Sequence, residues 1–522
     1  MDAKVLEAAR QAFPASGPGL VLGAVVHDGA CDPEPIVRLP LAMANRHGLI
    51  AGATGTGKTK TLQLLAEQFS AAGVPVFLAD LKGDLSGIAV AGKADERVTQ
   101  RAKDTGFDWK GAGCPTEFLS LTGSGGAQLR ASVSSFGPLL LARVMGLNDT
   151  QSSVLSLVFK YADDKHLPLL DLADLRAVLQ FLSGDGADEL KDYGGMSKAT
   201  VGVLLREMVE LSQQGADAFF GEPEFDLNDL LRVQKGLGVV SVLELADVQE
   251  KPALFSTFMM WMLARLYHDL PEVGDVDKPK LMFFFDEAHL LFDDASKAFL
   301  DQIEQVVRLI RSKGVGVFFV TQNPKDVPAT VLGQLGHRVQ HALRAFTPDD
   351  DKALQAAART YPKTPFYDVE KTLTSLGIGE AFVTVLTPKG TPTMPFATRM
   401  LPPGSRMGPL AADEMQQHLQ ISEQVQHYAT AVDRASAREM LAARVALSAQ
   451  ASRDAAAAAG GAAGAAPGAG AETAIAGAAA VVGAALSSPI ARAMATSVAR
   501  SVGTQLARGL MGALLGSPRR RR

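Results

Sequence analysis

The chain has 522 residues, of which 47% are hydrophobic and 20% are charged, and its mean hydropathy is +0.10. This length can bury the cores of several domains, and the composition is typical of a soluble globular protein. A formal net charge of −5 excludes a uniformly basic nucleic-acid coat, although it allows a basic channel inside an acidic particle.

Residues 1–45 predict a short N-terminal β segment. The opening run MDAKVLEAARQAF mixes acids with bases and has no apolar core, so we expect no signal peptide. Two β-like runs follow, LVLGAVV (Leu20–Val26) and PIVRLPL (Pro35–Leu41).

Residues 46–135 predict the first part of an α/β core. HGLIAG is an apolar run ending in glycine, residues from about Lys58 to Ala72 have the pattern of a helix, and VPVFLAD predicts a second buried strand. Strand, helix and strand at this spacing are typical of a βαβ unit with a parallel sheet.

A phosphate-binding motif lies between that first strand and the helix. GATGTGKT (Gly52–Thr59) matches GxxxxGK[ST] in full, so backbone N–H groups can surround phosphate oxygens. Lys58 can reach the β- and γ-phosphates, and the Thr59 hydroxyl can bind Mg²⁺. The predicted nucleotide-binding residues are Gly52, Ala53, Thr54, Gly55, Thr56, Gly57, Lys58, Thr59 and Lys60.

Residues 136–235 predict an α-helical insertion, because runs such as QSSVLSLVFKYA carry apolar residues at i, i+3 and i+4. Strand–helix alternation resumes over residues 236–400, the second part of the core. Its segments are GVVSVLEL, a Met- and aromatic-rich helix, LMFFFDEAH, a helix to about Lys313, and GVGVFFVTQ. We expect the stripe around Met259–Trp261 to be a core face packed on the sheet.

Two of these strands end in polar residues that complete a nucleotide site. Asp286 follows a buried strand and can join the Mg²⁺ shell, while Glu287 can orient and polarise the attacking water. The alternative is a strand that ends in a solvated turn. Gln322 can contact the γ-phosphate or the catalytic water, and its alternative is a strand cap hydrogen-bonded to backbone.

The tetrad DEAH also names a class of two-lobed helicases. Such an enzyme needs a second RecA-like lobe, a Ser-Ala-Thr motif and an arginine-rich final motif, and we find none of them. His289 is therefore interpreted as incidental. The motifs together predict one RecA-like (ASCE) P-loop NTPase with a mainly parallel sheet, an α-helical insertion and a C-terminal helical and low-complexity tail.

The C-terminal third begins with a predicted β-hairpin, EAFVTVLTPKGTPTMPFATRML, with Lys389 and Gly390 in its turn. A polar helical extension (401–450), an Ala/Gly-rich linker (451–473) and an apolar, basic helix and tail (474–522) follow. From Ile490 to Leu514 apolar residues recur every four positions, a pattern that suits packing on a partner. The alternative is a peripheral helix with a solvated basic tail.

Cellular location is indicated only indirectly. The two cysteines lack CxxC spacing, so a disulfide framework or zinc site is not expected, and a reducing cytoplasm suits the chain. The run AIAGAAAVVGAAL is too short and too rich in small residues for a firm membrane span.

Four segments, RHGLIAGATGTGKTKTLQLL, LADLKGDLSG, LMFFFDEAHLLF and GVGVFFVTQNPKDVP, resemble the FtsK–HerA superfamily, and within it the bacterial HerA-like proteins of the YjgR-like group. The likeness covers residues 18–400. It implies ATP and Mg²⁺ as cofactors, a hexameric ring with sites at subunit interfaces, and double-stranded DNA or another polymer in a central channel.

The resemblance also implies residue roles. It makes Asp286 and Glu287 the Walker B pair and Gln322 the sensor. Asp80 and Asp84 fall in the superfamily's D-x-x-G-acid segment, with a solvated turn as the alternative. A ring ATPase uses an arginine from the neighbouring subunit, for which the candidates are Arg311, Arg338 and Arg344; ordinary salt bridges are the alternative.

Two departures weaken the parallel with archaeal HerA. Residues 1–45 leave room only for a reduced form of its N-terminal β-barrel, and no strongly basic pore loop is evident. The leading hypothesis is a Mg²⁺-dependent ATPase that translocates along or remodels DNA. The alternatives are a protein-translocating ATPase related to type IV secretion motors, and a nucleotide-gated scaffold with slow turnover whose tail recruits a protein partner.

Overall fold

The computed structural model describes residues 1–292 and 297–462. The described residues form two compact units, one of Met1–Arg130 with Pro223–Ala431, the other of Ala131–Glu222 with the described residues from Val432 onward. The first unit contains a large sheet, and the described part of the second is helical.

The strands of the described residues are, in chain order, β1 (Gly19–His27), β2 (Ala30–Pro40), β3 (Gly48–Ala51), β4 (Val76–Asp80), β5 (Thr116–Ser120), β6 (Ala127–Gln128), β7 (Val233–Gln234), β8 (Leu237–Gly238), β9 (Val240–Glu244), β10 (Leu281–Phe285), β11 (Val315–Thr321), β12 (His337–His341), β13 (Glu380–Thr384) and β14 (Phe396–Met400).

The α-helices, in the same order, are α1 (Ala3–Ala12), α2 (Lys58–Ala71), α3 (Glu96–Thr105), α4 (Val133–Val144), α5 (Asp149–Asp164), α6 (Leu172–Ser183), α7 (Lys198–Gln213), α8 (Pro252–Asp269), α9 (His289–Phe292), α10 (Lys297–Ile310), α11 (Ala329–Leu332), α12 (Pro348–Ala358), α13 (Val369–Ser375), α14 (Ala412–Ile421), α15 (Glu423–Tyr428) and α16 (Ala437–Ala462).

The main sheet of the first unit has twelve strands in the order β2-β1-β14-β13-β12-β3-β11-β10-β4-β9-β5-β6. From β12 to β6 every pairing is parallel, whereas β13, β14, β1 and β2 extend the sheet with antiparallel pairings. The predicted mainly parallel α/β fold is confirmed. The strand that precedes the phosphate-binding motif, β3, lies between β12 and β11 and two places from β10.

The centre of the sheet is apolar on both faces, as a parallel sheet covered by helices requires. All five residues of β10 are buried, and the ring of Phe284 stacks on that of Phe318 with centroids 5.3 Å apart. Burial of each such ring contributes roughly 1.5–3 kcal/mol. Met259 and Trp261 of α8 are buried, which confirms the predicted core face.

Several local predictions are confirmed. The two N-terminal runs form β1 and β2, and β13 and β14 form the antiparallel hairpin, with Gly390 in its turn at φ 77°. The sequence pattern did not predict α1, whose first turn is capped by Asp2, or the short strand β12.

The first segment of the second unit runs from Ala131 to Glu222, after which the chain goes back to the first unit. The segment begins before the predicted insertion limit of 136 and ends before that of 235. Helix α16 packs against α6 in this unit, where the buried Asp174 carboxylate accepts the backbone N–H of Arg438 (3.0 Å) and of Leu170 (2.8 Å). Helix α16 extends to Ala462, into the segment predicted as linker, because alanine is the strongest helix former.

The remaining predictions for residues 463–522, the four-residue repeat among them, lie outside the described residues. In the part of the chain that is described, no helix has both the length and the apolar character needed to cross a bilayer.

Candidate functional site

The phosphate-binding motif forms a tight loop at the carboxyl edge of the sheet, between the end of β3 and the start of α2. Gly52, Gly55 and Gly57 have φ of 152°, 77° and 114°, a region that favours glycine. At Gly52 a Cβ atom would also lie 2.5 Å from that of His341. The 14-residue helix α2 therefore begins with its free N–H groups facing this loop.

The loop is held by its neighbours in the sheet. The N–H of Gly52 donates to the carbonyl of Thr321 (3.2 Å), and that of Ala53 donates to the carbonyl of Ala342 (2.8 Å). Both acceptors belong to the chain segments that flank β3, so the sheet itself sets the position of the loop.

Lys58 is 8% exposed, and its Nζ donates to the carbonyl of Ala53 within the loop (3.3 Å). Burial lowers the pKa of Lys58, while the carboxylates of Glu287 and Asp286 act in the opposite direction. The ammonium group is therefore placed inside the loop and within electrostatic range of both predicted Walker B acids.

Asp286 follows the last residue of β10 and is 3% exposed. Its Oδ1 accepts the backbone N–H of Glu287 (3.0 Å), and its Oδ2 is buried without a hydrogen-bond partner in the described structure. Burial, reinforced by the charge of Glu287, raises the pKa of Asp286 to about 7. A buried carboxylate oxygen without a partner is what a cation would satisfy.

The donor set fits Mg²⁺. This ion is commonly held by one or two protein oxygens together with water and substrate phosphates. Asp286 and the hydroxyl of Thr59, one residue after Lys58, are such oxygens. Among the residues described, no group of three or more His, Cys, Asp or Glu side chains could hold a metal ion by itself.

Glu287 is 5% exposed and adopts φ 47°, a left-handed conformation that costs a non-glycine residue on the order of 1–3 kcal/mol. Its Oε1 forms an ion pair with Lys82, and its Oε2 is buried without a hydrogen-bond partner in the described part of the chain. Burial alone would raise the pKa of Glu287, but Lys82, Lys58 and Gln322 hold it below the ordinary value. The side chain is therefore an anion with one free oxygen.

Gln322 follows β11 and is exposed at the same edge. Its Oε1 accepts a hydrogen bond from the Thr54 hydroxyl (3.4 Å), and its side chain also helps to lower the pKa of Glu287. Gln322 thus connects the phosphate-binding loop with the Asp-Glu pair. The alternative for Gln322 in the sequence analysis is a strand cap hydrogen-bonded to backbone. Three segments that are distant in the sequence thus meet at one edge.

His289, interpreted as incidental, has its Nδ1 3.4 Å from Oε2 of Glu287, close enough for an electrostatic contact. Hydrogen-bond geometry is not met there.

Asp80, at the end of β4, is fully buried and shapes the following turn. Its carboxylate accepts three backbone N–H groups, those of Lys82 (3.1 Å), Gly83 (2.8 Å) and Leu85 (2.8 Å). The solvated-turn alternative is therefore wrong for Asp80, because burial makes its carboxylate depend on these backbone donors. Asp84 is only partly buried, although its Oδ1 has no partner among the described residues.

Two polar residues at this edge were missed by sequence reasoning. Lys82, presented by the Asp80 turn, contacts Glu287, and Glu244 at the end of β9 is in register with Asp80. Burial, with Asp80 and Asp247 adding to it, raises the pKa of Glu244 to about 8. The available signal was positional, since both residues lie at the carboxyl end of a strand in a parallel sheet.

The three candidate arginines are not gathered at this site. Arg311 precedes β11 and Arg338 is the second residue of β12, so both lie toward the amino edge of the sheet. Arg344 follows β12 on the carboxyl side and donates from Nη1 to the carbonyl of Thr374 (3.4 Å).

Comparison with known proteins gives one family match of nearly full length. The sequence model described as "Helicase HerA-like C-terminal" matches residues 27–522. The chain is 34% identical over 110 residues to the probable DNA double-strand break repair helicase HerA of Methanocaldococcus jannaschii, which is 21% of this chain and 20% of that protein. The chain spans 20–28% of the length of the curated relatives it matches.

A solved structure shows the same kind of fold. The plasmid coupling protein TrwB, in complex with a non-hydrolysable GTP analogue, superposes with a TM-score of 0.50 at 15% identity, covering 76% of this chain and 98% of that one. VirB4 of Thermoanaerobacter pseudethanolicus gives a TM-score of 0.47 at 16% identity, with coverages of 78% and 100%.

Proposed function

Because the chain belongs to the helicase HerA-like C-terminal family, we propose that it is a Mg²⁺-dependent ATP hydrolase that forms a hexameric ring and translocates along or remodels duplex DNA. The observation that supports this most strongly is the meeting of three segments at one edge of the sheet. Lys58 lies in electrostatic range of Asp286 and Glu287, and Gln322 contacts both Thr54 and Glu287.

The phosphates of ATP would be bound by the loop Gly52–Thr59. The backbone N–H groups at the start of α2 donate to phosphate oxygens, and the Lys58 ammonium balances their charge. Thr59 and Asp286 would hold Mg²⁺, which when bound neutralises charge on the β- and γ-phosphates.

Hydrolysis would require a base beside the γ-phosphate. The free Oε2 of Glu287 takes a proton from water as the water oxygen forms its bond to the γ-phosphorus. The bond from that phosphorus to the bridging oxygen breaks, and ADP leaves with the electron pair. Gln322 would contact the γ-phosphate or that water.

Lys82 has a positioning role in this scheme. Its ion pair fixes Oε1 of Glu287 and favours the carboxylate form, leaving Oε2 for water. A base with a lowered pKa is ionised over a wider range of pH, at the expense of intrinsic basicity.

A ring would place a neighbour's arginine beside the γ-phosphate. Arg311, Arg338 and Arg344 remain the candidates for this contribution. Loss of the acting residue should reduce turnover by about 10³-fold or more while leaving ATP binding in place, and single Ala variants separate the three.

The proposal is tested by ATP turnover of the purified full chain with and without duplex DNA, paired with its mass in solution. We expect stimulation by DNA that falls steeply as salt is raised, and a mass about six times the 54.9 kDa of one subunit. Stimulation by polypeptide instead would favour the protein-translocating alternative. Slow turnover that neither polymer changes would favour the nucleotide-gated scaffold.

We also propose a cytoplasmic location and a tail that recruits a protein partner. Removal of the residues after Ala462 should leave ATP turnover of the core unchanged and abolish binding of the protein partner. Loss of turnover on that truncation would show that the tail belongs to the catalytic core.

A further inference from the structure

A polar cavity lies in the first unit at the amino edge of the sheet, away from the nucleotide site. It has a volume of about 590 Å³ and is lined by residues just before β3, β11 and β12, including His47, Arg311 and Gly336. The phosphate-binding loop begins where β3 ends. The length of β3 therefore separates cavity and loop by about 15 Å.

The cavity is strongly basic. Its lining includes four arginines, from the turn before β3, the end of α10 and the start of β12, and among the described residues the lining contains no Asp or Glu; these arginines are Arg46, Arg308, Arg311 and Arg338. One carboxylate is nearby. That of Asp275 lies 3.1 Å from Arg46 and 4.0 Å from Arg311, and its side chain is 86% exposed.

The positive charge of this cavity therefore exceeds the negative charge around it. Burial and the neighbouring charge of Arg46 lower the pKa of Arg311, against the effect of Asp275. His47 adds no charge, because burial lowers its pKa to about 4. Like charges that converge on a concave surface create a field that attracts anions.

Guanidinium donors are also available. Nε of Arg46 is buried and has no hydrogen-bond partner in the part of the chain that the structure describes. Arg308 is exposed, and Arg338 donates from Nη1 to the hydroxyl of Thr360 (2.5 Å). An unpaired buried donor costs about 1–3 kcal/mol, and a planar guanidinium is well matched to phosphate oxygens.

The remainder of the lining indicates the size and character of the ligand. Leu335, Leu386 and Pro392 give one part of the wall an apolar surface. The volume lies in the range of about 300–1,000 Å³ that is typical of small-molecule sites. Duplex DNA, whose major groove alone is about 12 Å wide, is too large to enter such a cavity.

We propose that this cavity binds a small organic phosphate of about nucleotide size, with its phosphates on the arginines and its less polar part on the apolar wall. This site is separate from the phosphate-binding loop and goes beyond the proposed ATPase function.

The experiment uses the full-length Lys58→Ala variant, in which the phosphate-binding loop is disabled. Binding of inorganic pyrophosphate and of ADP is measured by titration calorimetry. We expect about one equivalent of each probe per subunit, weakened at least 10-fold by Arg46→Gln combined with Arg308→Gln. These two arginines are not candidates for action on a neighbour's ATP.

The matched control is Arg10→Gln, which removes one exposed arginine from α1, outside the cavity. It should leave binding of both probes unchanged. If the double variant fails to fold, Arg308→Gln alone, at an exposed position, should weaken binding at least 3-fold.

Three results would overturn the proposal. The first is failure of Lys58→Ala to bind either probe, and the second is binding that the cavity variants leave unchanged. The third is loss of duplex DNA binding, with pyrophosphate binding intact, in the double variant, which would assign the arginines to nucleic acid. Since no step depends on hydrolysis, an inactive ATPase would not affect this test.

Discussion

The two edges of the twelve-stranded sheet differ in the charged residues that they carry. At the carboxyl edge, Asp286, Glu287 and Glu244 stand among a few lysines, and each of these acids keeps a buried oxygen without a hydrogen-bond partner among the described residues. At the amino edge four arginines surround a cavity whose only close carboxylate, in the described part of the chain, belongs to Asp275.

This difference suggests a division of labour within one unit. Acids next to a glycine-rich loop can bind a metal cation. The cation and the loop together can then bind the negatively charged triphosphate. Arginines without acids suit an anion that arrives without a metal. Variants of the nucleotide-site residues at the carboxyl edge should therefore change ATP binding or hydrolysis. Variants of cavity residues outside the candidate trans-acting set should change anion binding.

Glu287→Gln should have the largest effect, and it tests the assignment of hydrolysis to the carboxyl edge. Turnover should fall by at least about 100-fold, since the amide cannot take a proton, while ATP binding stays within a few fold. Steady-state kinetics and equilibrium binding provide both values. Glu272→Gln, at a side chain that is 72% exposed, is the control and should retain normal turnover.

Lys58→Ala should weaken ATP binding at least 30-fold, because the loop would lose the ammonium that balances the phosphate charge. Fluorescence titration with a labelled nucleotide measures this. Lys103→Ala, an exposed lysine of α3, should bind as the parent does. Equal losses in the two variants would point to a general charge effect instead of a site.

Lys82→Met should move the acidic limb of the turnover–pH profile upward by as much as about one pH unit. The ion pair with Lys82 holds the pKa of Glu287 down, so without it the base is protonated at higher pH. Turnover should drop several-fold near pH 4.5 and little at pH 7 or above. Lys82→Arg should restore the profile, and a uniform loss at every pH would indicate a purely structural role.

Glu244→Gln should have the smallest effect, on stability alone. Burial raises the pKa of Glu244 to about 8, so the folded state binds its proton more tightly than the unfolded state does. Stability contributed by that proton is complete below the ordinary glutamate pKa and is lost as pH rises through about 8.

Glu244→Gln cannot ionise at this position, so the variant keeps the stability that the parent loses as pH rises through about 8. Its Tm should rise by about 3 °C or more at pH 9, with little change near pH 4.5. Glu250→Gln, at an exposed position, should shift neither value. A gain that is equal at both pH values would show that ionisation of Glu244 is not the cause.

The carboxyl edge could largely be predicted from the sequence because its chemistry is carried by local motifs. The loop Gly52–Thr59 and the strand before Asp286 each combine a short apolar run with the polar residues that follow it. The order of the strands then brings Gln322 beside them.

The amino edge could not be predicted in the same way. Arg46, Arg308 and Arg338 are separated by hundreds of residues or lie on different elements, and no spacing rule joins them. Lys82 was missed for a related reason, since its partner Glu287 lies 205 residues away. Packing of α16 on α6 is likewise a contact between distant segments.

The central claim is that one edge of the sheet binds a triphosphate and its metal together. Calorimetric titration of Glu287→Gln with ATP, in Mg²⁺ and in EDTA, measures this directly. We predict tight binding in Mg²⁺, at least 10-fold weaker binding in EDTA, and loss of that difference when Asp286→Asn is added. Binding that is equally tight with and without Mg²⁺, or a metal effect that survives Asp286→Asn, would contradict the account.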